Sequence, residues 1–105
     1  MAMPAFTDDA CGGVINVSVA VPFIVALQEN PTTGYRWDFE ADPGLEITAS
    51  SYSFDPGGGI GGGGVRQVIA RADRAGSFML RGKLWRSWAG DASIIKRCDI
   101  TVQAS

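Results

Sequence analysis

The chain has 105 residues, enough for one domain with its own core and too few for two. Hydrophobic residues make up 46% and charged residues 19%, an ordinary folded composition rather than a disordered one. Nine Lys and Arg against eleven Asp and Glu give a formal charge of −2 with the basic residues scattered, which leaves no basic footprint for nucleic acid. Residues 1–10 show no periodic pattern and are expected to be flexible, the rest forming a single domain. "VINVSVAV" (14–21) alternates strictly, with Ile15, Val17, Val19 and Val21 on one face and Asn16, Ser18 and Ala20 on the other. "FIVALQ" (23–28), "YRWDFE" (35–40) and "LEITASSYSF" (45–54) follow as extended segments, the last two parted by the turn residues "DPG". "VRQVIARA" (65–72) and "SFMLRGKLWR" (77–86) flank "DRAG", a hairpin turn. "SWAGDAS" (87–93) reads as a loop, and "IIKRCDITVQ" (94–103) closes with Ile94, Cys98, Ile100 and Val102 on one face. No segment sustains a 3.6-residue apolar period. The pattern predicts an all-β, two-sheet antiparallel sandwich of about seven or eight strands.

The sandwich is immunoglobulin-like in shape but lacks the antibody cysteine frame. Trp37 suits the third strand, yet Cys11 precedes the first predicted strand and Phe23 and Ile24 occupy the second. The chain has no histidine and only two distant cysteines. That excludes a Ser–His or Cys–His nucleophile pair, a histidine metal site and a zinc-spaced cysteine pair. Asp38, Glu40 and Asp42 form the one acidic cluster, and on a strand they read as a solvated face before an acid–base pair. The expectation is no enzyme, no metal and no cofactor. No apolar run reaches ~18 residues, so no membrane-spanning helix is expected. "MAMPAF" lacks the charged and apolar regions of a signal peptide, which fits a cytosolic chain and a mature exported one equally.

Two loops stand out. "GGGIGGGG" contains a formal G-x-G-x-x-G at Gly57, Gly59 and Gly62, but a β-patterned segment follows it where a dinucleotide site needs a helix. Two readings stay open: a flexible link, or a loop whose backbone must approach a partner closely, with Ile60 as its apolar contact. "NPTTGYRW" (30–37) is stiff by construction. Pro31 fixes its own φ and keeps Asn30 extended, Thr32 and Thr33 are β-branched, and Gly34 permits a sharp turn before Tyr35 opens a strand.

"NPTTGYRW", "IGGGGV" (60–65) and "LWRSWAG" (84–90), in that order and joined by β segments, resemble the chagasin-type inhibitors of papain-like cysteine peptidases. The first motif matches at every defined position, the second fits Gly61, Gly62, Gly63 and Gly64 preceded by Ile60, and the third keeps Arg86 and Trp88 with Ser87 where proline is usual. The resemblance implies a monomer with three loops aligned at one end of an immunoglobulin-like sandwich, and a reversible, non-covalent inhibitor. Asn30, Pro31, Thr32, Thr33, Gly34 and Tyr35 would enter the catalytic centre, the glycine loop would lie along the non-primed subsites, and Arg86 and Trp88 would pack on the primed side. A loop that resists deformation loses little entropy on docking, and Trp and Arg are the types that dominate buried interfaces. Such an edge would bury roughly 1,600 Å² in total.

Each residue also has a plainer reading. Pro31 and Gly34 are common turn residues, Trp37 suits the core, Tyr35 shares its face but lies nearer the tip, and Trp85 either caps the sandwich edge or joins the loop. The alternative function is an immunoglobulin-like binding or adhesion module using the same loops, which would favour exposed aromatics with paired polar groups over proline, threonine and glycine. Cys11 and Cys98 are either a disulfide joining terminal strands or two free thiols. Bacterial members of the family are commonly exported, so the resemblance leans towards the periplasm or secretion.

Overall fold

A computed structural model describes residues 3–30, 33–54 and 64–105. Eight strands are present among these residues: β1 (Ala5–Phe6), β2 (Val14–Val17), β3 (Phe23–Glu29), β4 (Arg36–Ala41), β5 (Leu45–Phe54), β6 (Gly64–Ala72), β7 (Gly76–Trp85) and β8 (Lys96–Ala104). The helical elements among them are single 3-10 turns at Asp8–Ala10, Ser87–Ala89 and Asp91–Ser93. The strands form two four-stranded sheets, ordered β1-β3-β6-β5 and β2-β8-β7-β4.

Alternation places the core between the sheets. Phe23, Val25 and Leu27 of β3 and Ala70 and Ala72 of β6 cluster with Leu80 of β7 and Cys98, Ile100 and Val102 of β8, all buried. Full burial of a side chain of Leu or Phe size is worth about 1.5–3 kcal/mol, so these rows supply most of the driving force. Trp37, expected in the core, is half-buried and packs against it.

The expected sandwich is present, but its sheets are mixed. β1 pairs with β3 and β2 with β8 in parallel, while the other four pairings are antiparallel. A chain that leaves one sheet, adds a strand to the other and returns has reversed twice, so it arrives parallel to where it left. The lead-in expected to be loose contributes β1, and Phe6 meets Phe23 edge-to-face at 6.1 Å.

The eight-residue run at 14–21 also ends early as a strand, at Val17. Ala20 takes a φ of 67° as the chain crosses between sheets, with its N–H donated to the Ala72 carbonyl at 2.9 Å. Val19 still packs on the core, whereas Val21 is exposed.

In β5 the register slips at Thr48, an extra residue between the pairs Ile47–Ala70 and Ala49–Ile69. The bulge inverts which residues face inward: Leu45 and Ile47 do so before it, Tyr52 opposite Arg66 after it.

Cys11 and Cys98 form a disulfide, with Cα atoms 4.7 Å apart and a sequence separation of 87. Closing a loop of that size stabilises by about 4–5 kcal/mol in the chain-entropy account. Beside it the Gly12 N–H donates to the Asp99 carbonyl at 2.8 Å.

Candidate functional site

β3, β5 and β7 run towards one end of the sandwich, so the connections at 30–35, 55–63 and 86–95 all leave it there. Pro31, Thr32, Ile60, Gly61, Gly62 and Gly63 lie outside the described residues. The first and third loops meet through residues that are described.

Thr33 turns its polar groups inward. Its hydroxyl donates to the Asn30 carbonyl at 2.8 Å and accepts the Tyr35 N–H at 3.4 Å, the local bonding that makes threonine a turn residue. Gly34 follows with a φ of 82°, in the left-handed region where a side chain costs about 1–2 kcal/mol. A Cβ there would lie 3.1 Å from the Trp88 ring and 3.6 Å from Arg86 Nε, so glycine also lets the two loops close on each other.

Arg86 is the bracket between them. Its Nη2 and Nε donate to the Thr33 carbonyl at 2.9 and 3.2 Å, and its guanidinium lies over the Tyr35 ring at 4.3 Å. The planar fork thus holds one carbonyl with two bonds and one aromatic face at once, a geometry that an ammonium group does not reproduce. The resemblance assigns Arg86 to the partner-facing edge, and in the free chain its guanidinium is engaged with the first loop.

Trp88 is 74% exposed beside this bracket. Ser87–Ala89 is a 3-10 turn, and Asp91–Ser93 is a second one after Gly90 at φ 75°. The Ser93 hydroxyl closes the loop, accepting the Arg86 N–H at 3.0 Å and lying 2.7 Å from the Gly90 carbonyl and 2.9 Å from that of Arg86. Trp85 points away from the core on β7 with Lys83 Nζ 3.6 Å from its ring centre, so it caps the sheet face.

Beneath the loops sits a charge pair that the motifs do not contain. Glu29 closes β3 and is buried, and its Oε2 accepts Arg66 Nη2 at 2.8 Å. Its Oε1 accepts Arg66 Nε at 3.3 Å and the Trp37 N–H at 2.7 Å, while Trp37 Nε1 donates to the Gln28 carbonyl at 2.9 Å. The two ends of the first loop are therefore stapled together, and β6, which leaves the glycine tract, is tied to the same carboxylate. Arg66 also lies 5.9 Å from the Tyr52 ring centre. Gly64 is buried at the start of β6, where a Cβ would run into the Ser53 carbonyl and the Tyr52 ring. A cleft of about 260 Å³ opens above the pair, lined by Gly34, Trp37, Arg66, Trp85 and Trp88 among others.

Phase along the strands was the available signal for Glu29 and Arg66. Glu29 continues the row of Phe23, Val25 and Leu27, and Arg66 that of Val68, Ala70 and Ala72, so each charge lies in register with its strand's buried face. Ser93 had no such signal, being one hydroxyl in a polar loop.

The acidic cluster divides. Asp38 and Glu40 face outward on β4 opposite Lys83 and Arg81. Asp42 accepts Arg81 Nη1 at 2.8 Å and the Met79 N–H at 2.9 Å, and these bonds hold its carboxyl below the usual carboxylate range. It is an ion-pair partner rather than a proton donor.

The similarities of the chain to known proteins concern its fold and its family. No curated protein sequence matches it. Among solved structures, the cysteine protease inhibitor EhICP2 of Entamoeba histolytica superposes with a TM-score of 0.82 at 16% identity, over 100% of this chain and 97% of that one. Amebosin, a solution structure, gives 0.82 at 24% identity over the full length of both. PbICP-C, in complex with falcipain-2, gives 0.60 at 13% identity over 98% and 91%. These likenesses concern the fold. Residues 16–102 match the family model for chagasin family peptidase inhibitor I42, most of the length of the chain. With its looped edge, the chain therefore belongs to the chagasin family of peptidase inhibitors.

Proposed function

We propose that the chain is a reversible, non-covalent inhibitor of papain-like cysteine peptidases, and that the edge built by the first, glycine and third loops occludes the catalytic cleft. The family membership carries the reading, and a related fold held with falcipain-2 supports the partner class. The bracketed loops add the physical argument. Arg86, Thr33 and Gly34 hold the first loop against the third before any partner arrives, so little ordering entropy is left to lose on binding. Trp88 is the exposed aromatic that this arrangement offers on the primed side. Asn30, Pro31, Thr32 and the tract Ile60 to Gly64 are assigned to the edge on their motifs. The disulfide fits an oxidising compartment, the periplasm or the exterior of the cell.

The test is inhibition of papain and of a cathepsin L-type peptidase by the wild type and by Trp88→Ala. Wild type is expected to inhibit tightly and reversibly. The variant should bind tenfold or more weakly, an anchor loss on the order of 2 kcal/mol, with an unchanged melting temperature because the indole is mostly in solvent. If wild type inhibits neither enzyme at micromolar concentration, the reading falls and the adhesion module takes its place.

A further inference from the structure

We infer that Ser93 is a positioning residue of the inhibitory edge, acting on the first loop through Arg86; the inference rests on the inhibitor reading and goes beyond it. Ser93 belongs to none of the three motifs and touches the first loop nowhere in the described contacts. Its hydroxyl bonds only to backbone, accepting the Arg86 N–H at 3.0 Å with the Gly90 and Arg86 carbonyls at 2.7 and 2.9 Å. A hydroxyl has one proton to donate, so one carbonyl takes it at a time while the Arg86 N–H stays bonded throughout. The span from Arg86 to Ser93, seven positions apart, is thereby closed at its root.

Arg86 is the residue so fixed. Its backbone is extended, at φ −101° and ψ 109°, the conformation that a following proline would impose on it. Ser87 follows instead of proline and imposes nothing, so the Ser93 hydroxyl supplies through hydrogen bonds the restraint the loop needs. From that backbone the guanidinium reaches across to the Thr33 carbonyl and the Tyr35 ring. A rotation of the Arg86 backbone would displace the head of a long side chain by more than the bonds to Thr33 tolerate. One hydroxyl on the third loop therefore sets the shape of the first.

Two readouts test this, one with a peptidase and one without. Dissociation from papain is measured for wild type, Ser93→Ala, Ser93→Thr, Arg86→Met and the double variant Ser93→Ala/Arg86→Met. Ser93→Ala is expected to dissociate about fivefold faster, the loss of one or two modest hydrogen bonds, and Ser93→Thr, which keeps the hydroxyl, to remain slow. In the Arg86→Met background the alanine change should add less than about twofold, because sites acting through one another are not additive. In the free protein, amide exchange at Tyr35, whose N–H bonds to the Thr33 hydroxyl, should quicken about fivefold in Ser93→Ala and in Arg86→Met alike. A full additive effect in the double variant, or unaltered exchange at Tyr35 in Ser93→Ala, would overturn the inference. Failure of wild type to inhibit papain would remove the inhibitor reading, and the exchange measurement would still decide whether Ser93 orders the first loop.

Discussion

An arginine and a carboxylate meet at 2.8 Å at each end of the sandwich, yet the two pairs do different work. At the loop end Glu29 and Arg66 have side chains 1% and 15% exposed; at the turn end Asp42 and Arg81 stand 34% and 50% exposed. Glu29 shares its carboxylate between the Trp37 N–H, on the strand that leaves the first loop, and Arg66, on the strand that leaves the glycine tract. Asp42 joins only neighbours, the end of β4 to the middle of β7. Desolvating the first pair is expensive and gains no stability that an apolar pair would not supply. Its return is geometric, since the bonds to Glu29 tie the roots of the first and glycine loops together. The exposed pair is screened by water and holds a turn that the pleat already orders.

The largest effect should come from breaking the buried pair on one side. Glu29→Gln leaves the Arg66 cation without a counter-charge and is expected to cost about 3–5 kcal/mol, read as a fall in the urea midpoint. Adding Arg66→Met to it should recover part of that loss, because no orphan charge then remains. Next comes Gly34→Ala, where the positive φ alone costs about 1–2 kcal/mol and the new methyl pushes on Trp88. Peptidase binding should fall by more than stability does, as the first and third loops are forced apart.

The smallest effect is expected at Asp42, and its pH dependence has a definite sign. The folded-state pKa of Asp42 is lowered by the bonds from Arg81 and Met79, so its contribution is present above the unfolded value, about 3.9, and is lost as pH falls through the folded one. Asp42→Asn should therefore melt below wild type at pH 7, and the difference should close as the pH falls below about 4. Calorimetric scans across that range measure it. A gap that persists at low pH would mean that shape rather than charge holds the turn.

The same contrast marks what the sequence makes legible. Strand positions could be read because side-chain phase reports burial, and β3, β5 and β6 fall within a residue of where the alternation puts them. Strand direction could not, since alternation looks the same in either sense, and the two parallel pairings follow from the order in which the chain visits the sheets. The bulge at Thr48 lies in a polar run with no glycine to mark it. At the candidate site, "NPTTGYRW" and "LWRSWAG" could be found as motifs, but what Arg86 touches is a tertiary fact: its bonds go to a carbonyl 53 positions away, which local pattern does not encode. Glu29 and Arg66 were legible in principle, since each lies in phase with a buried row where a charge needs a partner.

The disulfide has a consequence for a protein whose proposed partner cuts peptide bonds. Cys11 and Cys98 enclose nearly the whole chain in one covalent ring. A single cleavage at any bond between them opens the ring without releasing a fragment, so both halves stay joined and remain paired in their sheets. A nicked molecule would run as one species on a non-reducing gel and as two after reduction. The bridge thus lets an inhibitor survive an occasional bite from the enzyme it blocks.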